Sequence, residues 1–385
     1  MSCEKVLVVA GEASGDQHAA DFIRSLKTLR PGISVYAVGG ERLHQAGAEI
    51  IVRSSELSVV GIFEVINHLG PILRAYRKVT QWLRNCRPNL LVLVDFPEFN
   101  LLLAKRAKAL GIPVFYYISP QIWAWRQGRV KKIKRLVDKM AVILPFEKAF
   151  YKQQGIEVEF VGHPLLDSVR SSLTRQEFIE KFGLPAAGKM VCLLPGSRSG
   201  EIRRHIDLFM DTASVTAGKL PGISFCLPLA PGLQKKAVEL IKKGTASLRA
   251  GCGPNIHLIR NAAHDAMAAS DLVIAASGTV TLEAAILKIP MIVTYRISPL
   301  TYHLGRRLVK VKWVSLVNLI AGREIVPEIL QDEAGPENLS KQAVTLLEDR
   351  EARRRMINGL EEAVSLLGKP GAAGRAASIA ASMLA

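Results

Sequence analysis

The sequence predicts an α/β protein of two Rossmann-like domains, each built on a parallel β-sheet with helices on both faces. Three observations support this prediction. Short unbroken apolar runs, typical of buried parallel strands, alternate with segments of helical periodicity. This alternation runs through the first half of the chain, lapses over residues 165–189, and restarts at residue 190. The chain of 385 residues is also long enough for two domains that each bury a core.

The N-terminal domain, residues 1–168, begins with a predicted strand at residues 6–10, the loop GEASGD and a helix over residues 17–29. Polar residues collect where its strands end, which is where doubly wound sheets bind ligands. Its remaining strands are predicted at residues 33–38, 90–94, 113–118 and 140–144.

The C-terminal domain, residues 169–345, is followed by a helical tail, residues 346–385. We expect the tail to pack back on the N-terminal domain; exchange with a partner subunit in a homodimer is the alternative. The layout resembles that of GT-B glycosyltransferases, whose two domains face a cleft and whose second domain binds the donor nucleotide. The strands are predicted at residues 190–194, 223–227, 256–259, 272–275 and 291–293.

The composition points to anionic partners. Lys and Arg number 51 against 34 Asp and Glu, a net charge of +17, which favours nucleic acid, a lipid surface or phosphorylated substrates. No apolar run approaches the roughly 18 residues of a membrane span, and no secretory signal is visible. The five cysteines lack zinc-site spacing, so we expect reduced thiols in a cytosolic protein.

The stretch DLVIAASGTVTLEAAILKIPMIV, residues 271–293, reads as a complete strand, loop, helix and strand. The small residues Ser277, Gly278 and Thr279 precede the helix and leave backbone N–H groups open to a phosphate. Glu283, inside the helix, could accept ribose hydroxyl groups. The alternative is that Ser277 or Thr279 only caps the helix and that Glu283 is a surface residue.

The stretch LLPGSRSGEIRRH contains the end of the second domain's first strand, a tight turn and the start of a helix, and Arg198 lies at the turn. Its planar guanidinium suits phosphate oxygens, and its turn would open at the same sheet edge as the Ser277 loop. The alternative is an ordinary surface arginine.

Asp95 directly follows the apolar strand LLVLV, in the domain opposite the expected donor site. A carboxylate there could deprotonate an acceptor hydroxyl; Glu98 is a competing candidate, and capping of the next helix is the alternative for Asp95. In the GEASGD loop, Ser14, Gly15 and Asp16 either contact a substrate or begin the following helix.

The sequence contains no Asp-x-Asp pair of the kind that metal-dependent glycosyltransferases use to hold a divalent ion. We therefore expect a metal-independent reaction without a cofactor, in which Arg side chains and a helix start offset the leaving-group charge.

Two stretches combine apolar or aromatic residues with basic ones, as membrane-surface contacts do. One covers residues 59–82, for which a core helix is the alternative. The other surrounds a tryptophan pair followed by lysines and arginines, for which a solvated helix or nucleic-acid binding is the alternative. The residues that we expect at the membrane are Val60, Ile62, Phe63, Ile66, Leu69, Trp123, Trp125 and Arg126.

Nine motifs in order cover nearly the whole chain: GEASGD (11–16), VVGIFEV (59–65), VDFPEFN (94–100), YYISPQIWAWRQGRVKKI (116–133), LPFEKAFY (144–151), VGHP (161–164), LLPGSR (193–198), ASGTVTLE (276–283) and VNLIAGRE (317–324). Together they resemble the lipid-A-disaccharide synthases, GT-B glycosyltransferases of Gram-negative bacteria. The run SPQIWAWRQGR is the most specific.

The resemblance implies an inverting transfer of 2,3-diacylglucosamine from its UDP derivative to 2,3-diacylglucosamine 1-phosphate (lipid X). The product would be the β-1,6-linked lipid A disaccharide 1-phosphate, with release of UDP. Asp95 matches the family's general base, and the Ser277–Thr279 loop matches the UDP-binding side, as do Arg198, Glu283 and Asn318. The chain departs from the family at Glu98, where Asp is usual, and at Ala19, where Gly is usual.

These substrates carry acyl chains, so the resemblance implies a cytoplasmic enzyme that is peripheral on the anionic inner face of the inner membrane. Another UDP-sugar GT-B enzyme, such as a peptidoglycan transferase or a UDP-sugar 2-epimerase, is the alternative activity. A nucleic-acid-binding protein is the alternative class. We expect no nucleic-acid partner, since aromatic residues make up only 6% and no recognised RNA or DNA module is present.

Overall fold

The computed structural model describes residues 4–56, 69–124, 127–230, 233–250, 253–297 and 311–384. The chain divides into two compact units. Unit 1 comprises Met1–Asp167 together with Leu367–Ala385, and unit 2 comprises Ser168–Leu366.

Unit 1 is built on a parallel sheet, in which the described residues form seven strands in the order β3-β2-β1-β4-β5-β6-β7. The chain leaves β1 towards one edge and returns beside it as β4, so the strand order reverses between β1 and β4. The strands are β1 (Lys5–Ala10), β2 (Ser34–Gly39), β3 (Glu49–Arg53), β4 (Leu90–Val94), β5 (Val114–Tyr117), β6 (Lys139–Val142) and β7 (Glu159–Phe160).

Helices cover both faces of this sheet because its central strands are apolar on both sides: all five residues of β4 are buried. One face packs against Phe22 and Ile23 of the first helix, and the other against Val79 and Leu103 of later helices. The helices are α1 (Ala13–Leu29), α2 (Glu41–Gln45), α3 (Leu69–Cys86), α4 (Pro97–Ala109), α5 (Val130–Leu136), α6 (Pro145–Gln153) and α7 (Leu165–Ser168), which ends at the boundary with unit 2.

Unit 2 repeats this plan. Its six described strands are parallel in the order β10-β9-β8-β11-β12-β13, with the reversal between β8 and β11. The strands are β8 (Met190–Leu194), β9 (Ser224–Leu229), β10 (Ile256–Arg260), β11 (Leu272–Ala276), β12 (Met291–Tyr295) and β13 (Glu328–Leu330). The helices are α8 (Arg175–Phe182), α9 (Ser199–Lys219), α10 (Lys235–Ala250), α11 (Ala263–Ala269), α12 (Val280–Ile286), α13 (Leu316–Ala321), α14 (Pro336–Glu348) and α15 (Arg350–Ser365).

The last helix, α16 (Ala372–Met383), belongs to unit 1, where Ala376, Ala377 and Ala380 are buried in the same core cluster as Ala19 and Ala20 of α1. Small residues on both helices allow this close packing. Residues 346–366 instead lie in unit 2, so the tail that we predicted as one segment, residues 346–385, is divided between the two units.

The predicted pair of Rossmann-like parallel sheets is confirmed. Three strands, β3, β7 and β13, were not predicted, and α1 begins earlier than predicted, since the helix already includes Ala13 to Asp16. All three missed strands are the outermost strands of their sheets or contain only two or three residues.

Candidate functional site

The predicted site residues of unit 1 follow β1 and β4, the two strands between which the sheet order reverses. Ala10 pairs in register with Val94, so the GEASGD loop and Asp95 leave the same sheet edge side by side. Gly11 is required there, because a Cβ atom at this position would lie 2.4 Å from the Phe96 ring. Such a switch point is where open α/β sheets bind ligands.

Asp95 and Phe96 both have a φ of +46°, in the left-handed region that ordinary residues avoid. Each such residue costs on the order of 1–3 kcal/mol and persists only where its surroundings hold it. Two buried side chains hold the Asp95 carbonyl. Tyr116 Oη donates to it at 2.6 Å and Asn100 Nδ2 donates at 2.6 Å.

Tyr116 and Asn100 are fully buried. Burial raises the pKa of Tyr116 well above its usual range, and the nearby Asp95 carboxylate adds to the effect. The hydroxyl of Tyr116 therefore stays protonated and remains a hydrogen-bond donor. Sequence reasoning missed both residues, although Asn100 belongs to the VDFPEFN motif.

Glu98 differs from Asp95 in its surroundings. It lies in the first turn of α4 with a side chain that is 67% exposed, and it forms an ion pair with Arg129. Asp95, directly after β4, is instead partly buried, so the two carboxylates differ in their exposure to water.

The three predicted residues of the first loop are placed differently. Ser14 is exposed in the first turn of α1, and Gly15 is buried against β4. The buried carboxylate of Asp16 accepts hydrogen bonds from the backbone N–H groups of Gly40 at 2.6 Å and Arg42 at 3.1 Å. Asp16 therefore caps the start of α2, which indicates a structural function.

In unit 2, Arg198 stands at the start of α9 with a side chain that is 56% exposed. Gly196, with a φ of +131°, makes the preceding turn possible, since a Cβ there would lie 2.6 Å from Cβ of Glu201. The Glu201 carboxylate accepts from the backbone N–H groups of Ser197 at 3.0 Å and Arg198 at 3.3 Å. Nη1 of Arg198 forms an ion pair with Glu201 Oε1 at 4.0 Å, and the guanidinium, rather than these N–H groups, is the part of the turn that is exposed.

His205 of α9, which is fully buried, fastens the Arg198 turn to the sheet. Its Nδ1 lies 3.1 Å from the carbonyl oxygen of Pro195, and its Nε2 accepts from the N–H of Arg296 at 3.0 Å. This pattern requires a neutral ring with its proton on Nδ1. Burial lowers the pKa of His205, which favours the same neutral form.

The Ser277–Thr279 loop follows β11, whose Ala275 pairs in register with Leu194 of β8, so this loop and the Arg198 turn leave the same sheet edge. Gly278 and Thr279 are exposed. In α12, Glu283 Oε2 lies 3.2 Å from Nε2 of His264. The hydrogen bond between these two side chains raises the pKa of His264.

Asn318 is fully buried, and the structure gives its side chain four hydrogen bonds within unit 2. Four is the full capacity of an amide side chain. The side chain of Asn318 therefore has no hydrogen-bonding capacity left for a ligand.

The predicted membrane residues divide into two groups. Trp123 requires a correction: it is only 6% exposed, and its indole N–H donates to Glu147 at 3.1 Å. A buried, hydrogen-bonded indole cannot contact lipid, so Trp123 is a core residue. Leu69 begins α3. The others, Val60, Ile62, Phe63, Ile66, Trp125 and Arg126, lie outside the described residues.

Glu147 organises the loop that contains Trp123. Its buried carboxylate accepts from Ser119 Oγ at 2.7 Å and from the N–H groups of Ile143 and Leu144. Burial raises the pKa of Glu147 to about 7, and the four donors oppose that increase. The carboxylate thereby attaches the SPQIW segment to the start of α6.

Two general features of the described ranges are relevant. No helix in them is long and apolar enough to cross a membrane. Nor do they bring three His, Cys, Asp or Glu side chains together as a metal site.

Comparison with solved structures defines the class of protein. A UDP-N-acetylglucosamine 2-epimerase from Neisseria meningitidis, bound to UDP-N-acetylglucosamine, matches with a TM-score of 0.64 and 15% identity over 99% of each chain. MurG from Acinetobacter baumannii matches with a TM-score of 0.58 and 14% identity over 98% of this chain and 99% of that one. The chain therefore has the GT-B fold, which at this identity is all that the likeness shows.

The sequence assigns the family within that fold. Residues 6–382 match the lipid-A-disaccharide synthetase family. The lipid-A-disaccharide synthase of Nitrosococcus oceani is 46% identical over 92% of this chain and 90% of its own length. That of Trichlorobacter lovleyi is 44% identical over 99% and 98%. The chain belongs to the lipid-A-disaccharide synthase family, which confirms the resemblance and the glycosyltransferase class that it implied.

Proposed function

We propose that this enzyme transfers 2,3-diacylglucosamine from its UDP derivative to the 6-hydroxyl of 2,3-diacylglucosamine 1-phosphate (lipid X). The products are the β-1,6-linked disaccharide 1-phosphate and UDP. Unit 1 binds the acceptor and unit 2 binds the donor. Family membership supports the reaction, since the relatives are named for making the lipid A disaccharide.

The proposal rests chiefly on the position and the backbone conformation of Asp95 in unit 1. The residue stands at the switch point of the sheet, in a left-handed backbone conformation that two buried donors stabilise. Strain of this kind persists at functional sites. We therefore assign the general base to Asp95 and not to Glu98, whose side chain is 67% exposed in the first turn of α4.

The mechanism is a single displacement with inversion. Asp95 accepts the proton of the acceptor 6-hydroxyl as that oxygen bonds to the anomeric carbon of the donor. The bond from the anomeric carbon to the UDP oxygen breaks on the opposite face, and UDP leaves with the electron pair. Arg198 and the Ser277–Thr279 loop offset the charge that develops on the diphosphate, while Glu283 accepts the ribose hydroxyls.

The reaction proceeds without a metal ion or cofactor. Support comes from the sequence, which lacks an Asp-x-Asp pair, and from Arg198, whose exposed guanidinium can form two parallel hydrogen bonds with a phosphate.

The enzyme reaches its acylated substrates at the anionic cytoplasmic surface of the inner membrane, through the outer face of α3. Leu73 on this face is 50% exposed, and Leu102 of the neighbouring helix α4 is 54% exposed. Between the two helices lies a shallow groove lined in part by Arg77, Arg84 and Arg106. Exposed leucines among arginines suit a surface of anionic head groups.

The activity is tested by following UDP release from UDP-2,3-diacylglucosamine in detergent micelles, with and without lipid X, in the presence of EDTA. Release that depends on lipid X and persists in EDTA is the expected result. Release of UDP without acceptor would contradict the proposed reaction. Loss of UDP release in EDTA would contradict its metal independence.

The membrane surface is tested separately by co-sedimentation with vesicles that contain phosphatidylglycerol. We expect Arg77→Glu/Arg84→Glu to bind them at least tenfold more weakly than wild type, since each basic residue near an anionic surface contributes about 1 kcal/mol. Lys242→Glu/Lys243→Glu on the exposed side of α10 is the matched control for charge. Equal loss in both variants, or tight binding of wild type to duplex DNA at physiological salt, would argue against this surface.

A further inference from the structure

The segment that precedes α13 is tied to the predicted donor loop. Ser277 Oγ donates to the backbone carbonyl of Val314 at 3.0 Å. On the other side of that residue, the N–H of Val314 donates to Glu328 Oε2 at 2.8 Å, and the N–H of Ser315 donates to Glu328 Oε1 at 2.9 Å. One carboxylate thus holds two consecutive peptide groups, and the second of them, which contains the Val314 carbonyl and the Ser315 N–H, contacts the donor loop.

Glu328 is well anchored for this. It is the first residue of β13, and it pairs in register with Val293 of the neighbouring strand β12. Because this strand pairing fixes the backbone of Glu328, its carboxylate can hold the groups that it binds in a defined position. Its two oxygens accept from N–H groups as charged acceptors, which makes these hydrogen bonds stronger than neutral ones.

Asn318 supports the same carboxylate. Its Nδ2 donates to Glu328 Oε1 and to the carbonyl of Val326, both at 2.9 Å. Its Oδ1 accepts from the N–H groups of Ile325 at 2.7 Å and Val326 at 3.0 Å. The amide therefore closes the turn between α13 and β13 and orients Glu328 at the same time.

We infer that Glu328 is a positioning residue of the donor site, which acts on the Ser277–Thr279 loop through the backbone of Val314. Asn318 acts through Glu328 and not by contact with the nucleotide. The inference rests on the proposed function, because it takes the Ser277–Thr279 loop to bind the diphosphate of the donor.

The test compares the UDP dissociation constant, measured by calorimetry, for wild type, Glu328→Gln and the control Glu324→Gln. The Gln at 328 keeps the shape and one acceptor oxygen, but its NH₂ group cannot accept from a backbone N–H. Glu324 is an exposed carboxylate four residues earlier. We expect at least a tenfold weaker UDP affinity for Glu328→Gln and no change for Glu324→Gln.

Steady-state kinetics separates positioning from general damage to the fold. In Glu328→Gln the donor KM should rise about as much as the UDP dissociation constant, while the KM for lipid X stays within a factor of two. Glu328→Asp, whose shorter side chain cannot reach both N–H groups, is the second variant should Glu328→Gln fail to fold, and the same split is expected.

A double variant tests the route. If Glu328 acts through Ser277, then Ser277→Ala and Glu328→Gln together should weaken UDP binding no more than the worse single change. Effects that multiply would overturn the inference, as would wild-type UDP affinity in Glu328→Gln. A wild-type protein that does not bind UDP would instead overturn the proposed function and the inference with it.

Discussion

Tyr116 donates its hydroxyl hydrogen to the backbone carbonyl of Asp95, with 2.6 Å between the two oxygens. The hydrogen bond joins β5 to the first residue after β4, at the sheet edge where we place the acceptor site. Together with Asn100 it fixes the left-handed conformation of Asp95. The backbone conformation of Asp95 therefore depends on two fully buried side chains.

Tyr116→Phe removes this hydroxyl without changing the ring. We expect the free energy of unfolding to fall by about 1 kcal/mol, because the Asp95 carbonyl keeps its hydrogen bond to Asn100. The kcat should fall by roughly tenfold to a hundredfold, since a slightly displaced catalytic group costs that much. Steady-state kinetics and urea unfolding measure the two effects.

Tyr117→Phe is the matched control. Tyr117 is buried on the next position of β5, and its hydroxyl has no hydrogen-bond partner among the residues that the structure describes. Its loss should leave both stability and kcat unchanged or slightly improved. Equal loss of activity in the two variants would show that the hydroxyl of Tyr116 has no special function.

Gly11→Ala should displace Phe96 and, with it, Asp95. The added Cβ atom would lie 2.4 Å from the Phe96 ring, so the ring must move. We expect destabilisation of about 1–3 kcal/mol, typical of overpacking, and a lower kcat with little change in donor KM. Gly32→Ala, where a Cβ meets nothing within 4 Å, should behave as wild type, and a Gly11→Ala enzyme with normal kcat would refute the coupling.

Stability in unit 2 should depend on pH through His205. Burial lowers its pKa in the folded state below the unfolded value of about 6.5. Between these two pKa values the unfolded chain binds more protons, so the free energy of unfolding falls as the pH decreases through that window. His205→Gln keeps an uncharged acceptor near Arg296 and should show a shallower fall.

Urea unfolding at a series of pH values from about 7 down to about 5 measures this slope. His163 in unit 1, whose pKa burial lowers to about 3, contributes a similar slope in both proteins and does not confuse the comparison. Identical slopes for wild type and His205→Gln would contradict the assignment.

Trp123→Phe tests the correction to the predicted membrane surface. The change removes one of the donors to the buried Glu147 carboxylate and should cost about 1–3 kcal/mol of stability. Binding to phosphatidylglycerol vesicles should not change. Weaker vesicle binding at unchanged stability would show instead that Trp123 contacts the membrane.

The sequence predicted those features of the fold that depend on residues close together in the chain. The unbroken apolar runs of β4 and β8 predicted both sheets. The polar residues that follow such strands within four positions, Asp95, Arg198 and Ser277, predicted the sheet edges that carry the candidate site. Edge strands such as β3 were missed, because EIIVR has a charged residue at each end and is not an unbroken apolar run.

Contacts between distant residues could not be predicted. Asp16 accepts from the N–H of Gly40, 24 residues later in the chain, and Glu147 accepts from Ser119, 28 residues earlier. Nothing in the local sequence of either residue indicates its partner. The family resemblance assigned Asn318 to the UDP-binding side, whereas its amide forms four hydrogen bonds within unit 2.

The assignment of Asp95 as the general base is tested most directly by comparing the rates of acceptor-dependent UDP release in Asp95→Asn and Glu98→Gln. Both changes preserve size and remove one carboxylate. We expect kcat to fall by about 10²–10⁴ in Asp95→Asn, with the UDP dissociation constant unchanged, and Glu98→Gln to retain most of its activity. Wild-type kcat in Asp95→Asn, or an equal loss in Glu98→Gln, would contradict the account.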